Sequence, residues 1–284
     1  MLLRDFMPDP RLAEFVQCFR IAHFEFSDSN QTFFKAYPPK PEVCLHFILK
    51  GRIDIACAEP NTLIRQFPVT LIGQQTAVLP RYNSNMLLNF QVVFQPAAMF
   101  ILTGIPAYEL TNAFIDAAIV FPHSHFALEQ MQAAGSYQEI LTIAEQFVLS
   151  VIRSARHHLY PLDSVASTMI KRPESFSIED LAREAFLCTK QFERKFYEHV
   201  GVNPKTFARI IRFNRAFNTR NANPKWDWLR IAAACDYTDY QHLVKEYKHF
   251  TNHTPTAFHL LEQHSPECKL GLSAELYKSR FLPV

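Results

Sequence analysis

Glycine is scarce, with only 6 in 284 residues. Neither GxGxxG nor GxxxxGK[ST] occurs, which excludes the glycine-rich turns that cradle dinucleotides and nucleotide phosphates. Cysteine is equally sparse. Six thiols (Cys18, Cys44, Cys57, Cys188, Cys235 and Cys268) are scattered without a CxxC pair. Several lie inside apolar runs, so buried thiols in a reducing compartment are expected rather than a zinc site. No stretch of 18 uninterrupted apolar residues exists, and the opening MLLRDFMPDPRL has no continuous apolar segment. No membrane span and no signal peptide are therefore expected, and the expected location is the cytoplasm. GxSxG is also missing, and no HxH…E…H arrangement lies within the expected strands. Nothing points to a catalytic nucleophile or a metal barrel, so the reading is of a non-enzyme without cofactor.

Apolar residues make up 48% of the chain and charged residues 20%, enough to bury real cores over a length that suits two domains. The net charge of +2 hides an asymmetry. Residues 1–150 carry 9 Lys and Arg against 13 Asp and Glu, net −4, whereas residues 177–262 carry 13 against 10, net +3. The second region is the one suited to a polyanion.

Asp9-Pro10 followed by Leu12, Phe15, Val16 and Phe19 predicts a short amphipathic helix with Asp9 as its cap. Short β-rich segments then follow, among them Glu42–Leu49, Ile53–Cys57, Val69–Gly73 and Met86–Phe94. Prolines and Lys50-Gly51-Arg52 separate them. They predict a small barrel or sandwich over roughly residues 20–95. Cys44 and His46 share a strand face, as do His23 and Glu25; His123, His125 and His157-His158 lie elsewhere, and satisfied or surface histidines are expected. From Ala97 the periodicity is helical. Over 137–158, Ile140, Leu141, Ala144, Phe147, Val148, Val151 and Ile152 form one stripe, which either packs on its own domain or meets a second copy. Residues 159–176, with Pro161, Pro173 and several serines, suggest an inter-domain connection.

Two similar units follow. In Ser177–Tyr197, Ser177 and Asp180 form a helix-start signature. Leu181, Ala182 and Ala185 supply a buried face, Phe186-Leu187-Cys188 breaks the period, and Phe192 and Phe196 point inward. In Asp227–Tyr247, Trp228, Ile231, Ala232 and Cys235 form the stripe. Asp236-Tyr237-Thr238 is the break, and Leu243 and Tyr247 face inward. Each unit has the spacing of a helix-turn-helix. Pro204–Phe217 between them is a linking helix rich in arginine. Arg209, Arg212 and Arg215 on it are candidates for tying the two units together.

Residues 177–258 resemble the DNA-binding domain of AraC/XylS-type transcription regulators. The resemblance rests on LAREAFLCTKQFERKF, Gly201-Val202-Asn203-Pro204, Arg212-Phe213-Asn214-Arg215-Ala216 and Thr254-Pro255. Asp236 and Asn252 stand where that family usually has glycine, and Cys188 where it has a capping serine. The implied fold class is α+β. A small N-terminal β-barrel or cupin-like domain with helices (1–158) precedes a linker (159–176), an all-α double helix-turn-helix domain (177–262) and a tail (263–284). The implied partner is double-stranded DNA; a small-molecule effector, a homodimer contact and RNA polymerase are further candidates. The outward faces nominate Lys190 and Arg194 for guanine edges or phosphates and Glu193 for cytosine. They also nominate Gln241 for adenine, Lys245 for guanine or phosphate, and Tyr240 for phosphate or a thymine methyl. Thr189 and Thr238, at helix starts, are nominated for phosphate. Two other readings stay open. One is a cupin-type metal enzyme with an accessory nucleic-acid module; the other is a partner-binding module that has lost DNA affinity.

Overall fold

The computed structural model describes residues 1–26, 32–56, 62–155, 158–172 and 177–272. Cys57, His157 and the tail beyond 272 lie outside the described residues.

Among the described residues, the N-terminal half holds ten strands: β1 (Leu2–Phe6), β2 (Val16–Glu25), β3 (Phe33–Tyr37), β4 (Val43–Lys50), β5 (Ile53–Ala56), β6 (Leu63–Arg65), β7 (Val69–Ile72), β8 (Leu79–Asn83), β9 (Met86–Phe94) and β10 (Phe114–Asp116). They form two antiparallel sheets, one of order β1-β2-β9-β4-β7-β10 and one of order β3-β8-β5-β6. Of the barrel and sandwich alternatives, the strands take the open one: two sheets that do not close on each other.

Strand alternation divides the large sheet into two kinds of face. Phe19 and Ile21 on β2, Leu45 and Phe47 on β4, and Phe90 and Val92 on β9 join one apolar core. Their neighbours point the other way. Arg20 pairs with Gln91, Gln91 with His46 and His46 with Thr70 across four strands. All four are buried, so a polar row lies on the side of the sheet away from the main core.

Helices α1 (Ala98–Thr103), α2 (Ser124–Ala133) and α3 (Tyr137–Arg153) cover the apolar face. Ser136 caps α3 by accepting from the Glu139 amide. The α3 stripe Ile140, Leu141, Ala144, Phe147 and Val148 is buried in the sheet's own core, so that stripe is spent within its domain. The amphipathic helix expected after Asp9 shrinks to one 3-10 turn, Pro10–Leu12, capped by Asp9. Val16 and Phe19 belong to β2 instead, because pairing with β1 and β9 overrides a local helical spacing.

The C-terminal half is helical: α4 (Pro161–Lys171), α5 (Ile178–Glu184), α6 (Thr189–Val200), α7 (Pro204–Ala222), α8 (Trp228–Ala234), α9 (Tyr240–Thr251), α10 (Pro255–Glu262) and α11 (Pro266–Lys269). The connection at 159–176 thus contains a helix. Leu162, Val165, Ala166 and Met169 of α4 share a core with Leu181, Ala182, Phe192 and Phe196. A second core gathers Phe213, Phe217, Ile231, Leu243, Tyr247 and Phe250.

Candidate nucleic-acid interface

Each unit is a short helix, a tight turn and a longer helix. In the first, Ser177 accepts from the Asp180 amide to start α5. The turn carries Phe186 at φ +55°, and α6 follows. Phe192, Phe196, His199 and Val200 bury the inner face of α6. Lys190, Gln191, Glu193 and Arg194 are exposed. In the second, Asp227 starts α8 by accepting from the Arg230 amide, and Asp239 starts α9 by accepting from the His242 amide. Leu243, Tyr247 and Phe250 face inward, while Gln241, Lys245, Lys248 and His249 are exposed and Tyr240 is half-buried against the core.

The nominated residues therefore occupy two outward faces, one on α6 and one on α9. Among the described residues, no hydrogen bond or ion pair engages Lys190, Glu193, Arg194, Gln241 or Lys245, so their polar ends are available to a ligand. Thr189 is the first residue of α6 rather than its cap; Cys188 occupies the cap position and makes no side-chain capping bond. Thr238 lies just before the cap Asp239, 3.5 Å from the His242 Nδ1. Gln191 and Lys248, exposed on the same helices, were not singled out in the sequence. A census of exposed positions on each helix identifies them.

The linking helix α7 does tie to the second unit. Arg209 Nε donates to Glu246 at 3.0 Å. Arg212 sits over the Tyr237 ring at 5.0 Å. Arg215 donates to Asp236 Oδ2 and to the Ala234 carbonyl, both at 2.6 Å. These last two bonds account for an aspartate at φ +58° in a turn where glycine is usual.

The N-terminal half grips the first unit by the end of its recognition helix. Tyr197 stacks on Tyr108 with ring centres 5.0 Å apart. His199 stacks on Phe100 at 4.0 Å and bonds Asp163 at 2.7 Å, wholly buried. Gly201 ends α6 at φ +91°, and Thr111 Oγ1 donates to its carbonyl at 2.7 Å. A Cβ on Gly201 would lie 2.7 Å from Thr111 Oγ1 and 2.8 Å from the Ala107 carbonyl, so only glycine allows this approach.

Between the two sheets and α7 lies a cavity of about 60 Å³, which no sequence motif announces. Leu3, Ala22, Phe24, Ile53, Leu87 and Phe217 give it apolar walls, and Arg20, Lys35, Lys40 and Arg81 make it cationic. Arg20 is paired with Asp5 at 2.7 Å and with Glu42 at 3.0 Å. Lys35 is paired with Glu262 at 3.1 Å and with Glu267. Arg81 differs: it is buried, its Nε has no hydrogen-bond partner, and no described carboxylate pairs with it. Its guanidinium lies 4.2 Å over the Tyr37 ring, and burial pushes its pKa down. Among the described residues, no group of three His, Cys, Asp or Glu is placed to hold a metal ion.

Two family models match separate stretches of the chain. Residues 181–259 match the model of a helix-turn-helix domain, and residues 4–116 match a domain of unknown function (DUF6597). The matched residues of the C-terminal half therefore belong to a helix-turn-helix domain. Among solved structures, ToxT from Vibrio cholerae is similar with a TM-score of 0.47, at 11% identity over 86% of this chain and 98% of that one. ToxT from strain SCE256 with a bound unsaturated fatty acid gives 0.45 at 10% identity, over 86% and 95%. An AraC-type transcriptional regulator from Chromobacterium violaceum gives 0.32 at 26% identity, over 37% and 91%. No curated protein matches the chain. Among the described residues, no helix is long and apolar enough to cross a membrane.

Proposed function

We propose that this chain is a sequence-specific transcription regulator that lays α6 and α9 into successive major grooves on one face of duplex DNA. The observation that carries the reading is the pair of recognition helices. Each is anchored on a buried aromatic face, and each presents outward polar side chains, Lys190, Glu193 and Arg194 or Gln241 and Lys245, that no other described side chain engages. Lys190 and Arg194 reach guanine edges or phosphates, and Glu193 takes a cytosine amino group. Gln241 reads adenine, Lys245 reaches guanine or phosphate, and Tyr240 meets phosphate or a thymine methyl. Thr189 and Thr238 lie at helix starts, where backbone amides favour phosphate.

The N-terminal domain is the receiver for a small-molecule effector, seated in the cavity between its sheets. The solitary buried Arg81 beside apolar walls supports a ligand with an acidic head and an apolar body, because a buried guanidinium without a carboxylate gains most from an anion.

The test is selection of the full-length protein against a random duplex pool at two salt concentrations. Two short motifs about one helical turn apart, roughly 10 base pairs, are expected. The Arg194→Ala/Lys245→Ala variant should lose the enrichment and flatten the salt dependence. A folded protein that enriches nothing overturns the reading.

A further inference from the structure

The cavity is small because the protein partly fills it. A free interior of about 60 Å³ holds roughly four waters, too few for an effector with an apolar body. What closes the space on one side is the segment after the second helix-turn-helix unit. Its Glu267 is 4% exposed, lines the cavity and bonds Lys35 of β3. Lys269 lies 5.1 Å over the Phe33 ring. Leu270 and Leu272 pack against Ala22, Phe24, Ile48, Ile53 and Leu87, which come from both sheets. The Leu272 amide donates to the Glu267 carbonyl at 2.8 Å and folds the segment into one compact turn. An acid therefore enters the site, and two apolar side chains cover the cluster that forms its apolar wall.

We infer that residues 266–272 are an internal occupant of the effector site, with Glu267 holding Lys35, a cation that a ligand's acidic head would meet beside Arg81, and Leu270 and Leu272 covering the apolar wall that its body would meet. This rests on the effector reading above and adds how the site is regulated: an external ligand enters by displacing the segment. The ion cluster permits the exchange. Lys35 holds two carboxylates, so it keeps Glu262 at 3.1 Å when Glu267 leaves. Glu262 already has an Oε1 without a hydrogen-bond partner, and burial raises its pKa. The displaced turn follows α10, whose Phe258 shares a core with Tyr247 and Phe250 of α9, so its release bears directly on the second recognition helix.

The test uses 8-anilinonaphthalene-1-sulfonate, an anionic apolar fluorophore, titrated into the full chain. The proteins compared are the unmodified chain, Glu267→Gln, Leu270→Ser/Leu272→Ser and Arg81→Met. An occupant seated nine-tenths of the time lowers apparent affinity about tenfold. The two occupant variants should therefore bind about tenfold tighter, and Arg81→Met should lose saturable binding. Melting curves check that each variant is folded; Leu270 and Leu272 are only half-buried, so their pair keeps the test open if Glu267→Gln unfolds. Equal, Arg81-dependent binding by the unmodified chain and both occupant variants overturns the internal occupant and leaves the effector site standing. No saturable binding by any folded variant overturns the site and the occupant together.

Discussion

The two helix-turn-helix units trace the same path with different chemistry. In the first, the turn residue at positive φ is Phe186, 84% exposed, and the cap position of α6 is an unbonded Cys188. In the second, the turn residue is Asp236, bonded to Arg215, and the cap of α9 is Asp239, bonded to the His242 amide. The second unit is positioned by charge, through three arginines of α7. The first is positioned by apolar packing of α4 and by stacking of Tyr197 and His199 on the N-terminal domain. One linking helix therefore does not treat its two ends alike. The first unit meets the N-terminal half through stacked rings, and the second meets it through the Val78 amide, which donates to the Phe250 carbonyl at 2.8 Å, in addition to its three ties to α7.

The largest effects should come from the aromatic anchors the units share. Phe196 and Tyr247 are fully buried, at 0% and 1% exposure. Truncating either to alanine should cost about 3–5 kcal/mol, read from chemical denaturation. If the units are coupled as the packing indicates, each variant melts in one transition; two separate transitions would break the comparison by making the units independent. The next effect separates them. Arg209→Ala strands the buried Glu246 carboxylate and should cost about 2 kcal/mol. Its counterpart on the first unit, the exposed Arg183–Asp180 pair, should contribute about 0.5 kcal/mol or less. Equal losses for Arg209→Ala and Arg183→Ala would remove the claim that arginine pairs position the second unit and not the first.

Much of this arrangement could be read from sequence because it is local. Leu181, Ala182 and Phe196, or Ile231, Leu243 and Tyr247, repeat at helical spacing, and such periodicity directly states which side is buried. Two outward faces followed by subtraction. The double motif also made α7 a linker, and Arg209, Arg212 and Arg215 were weighed as ties. What stayed hidden depends on long-range placement. Arg20 lies in one sheet and Lys35 and Arg81 pair across the other, so only the sheet register and the packing of the two sheets bring them to one cavity. The same register turned the expected helix at Phe15–Phe19 into a strand. Pro161 suggested a break, yet it starts α4, a position where its missing amide costs nothing. Glu267 joins Lys35 across more than two hundred residues, a separation no periodicity spans.

A smaller pair of substitutions sharpens the contrast at the turns. Phe186→Gly removes a left-handed non-glycine residue whose ring is mostly in water, and should stabilise by about 1 kcal/mol. Asp236→Gly relieves the same backbone strain but deletes the bond to Arg215, so it should be neutral or destabilising by about 0.5 kcal/mol. Thermal midpoints measured side by side decide the point. A gain in both would mean that the Arg215 bond does not compensate for the strained aspartate.

Effects of similar size are expected at the caps. Cys188 leaves the first amides of α6 without a side-chain acceptor, and a serine there could accept as Asp239 does for α9. Cys188→Ser should therefore stabilise by about 0.5–1 kcal/mol, while Asp239→Ala should cost about 1 kcal/mol. The sulfur is exposed, so little packing is lost in the exchange. Urea denaturation of the two variants reads both changes. If Cys188→Ser gains nothing, the start of α6 is held by α4 and the N-terminal domain rather than by its own first turn. The first unit would then be even more dependent on its surroundings than the second.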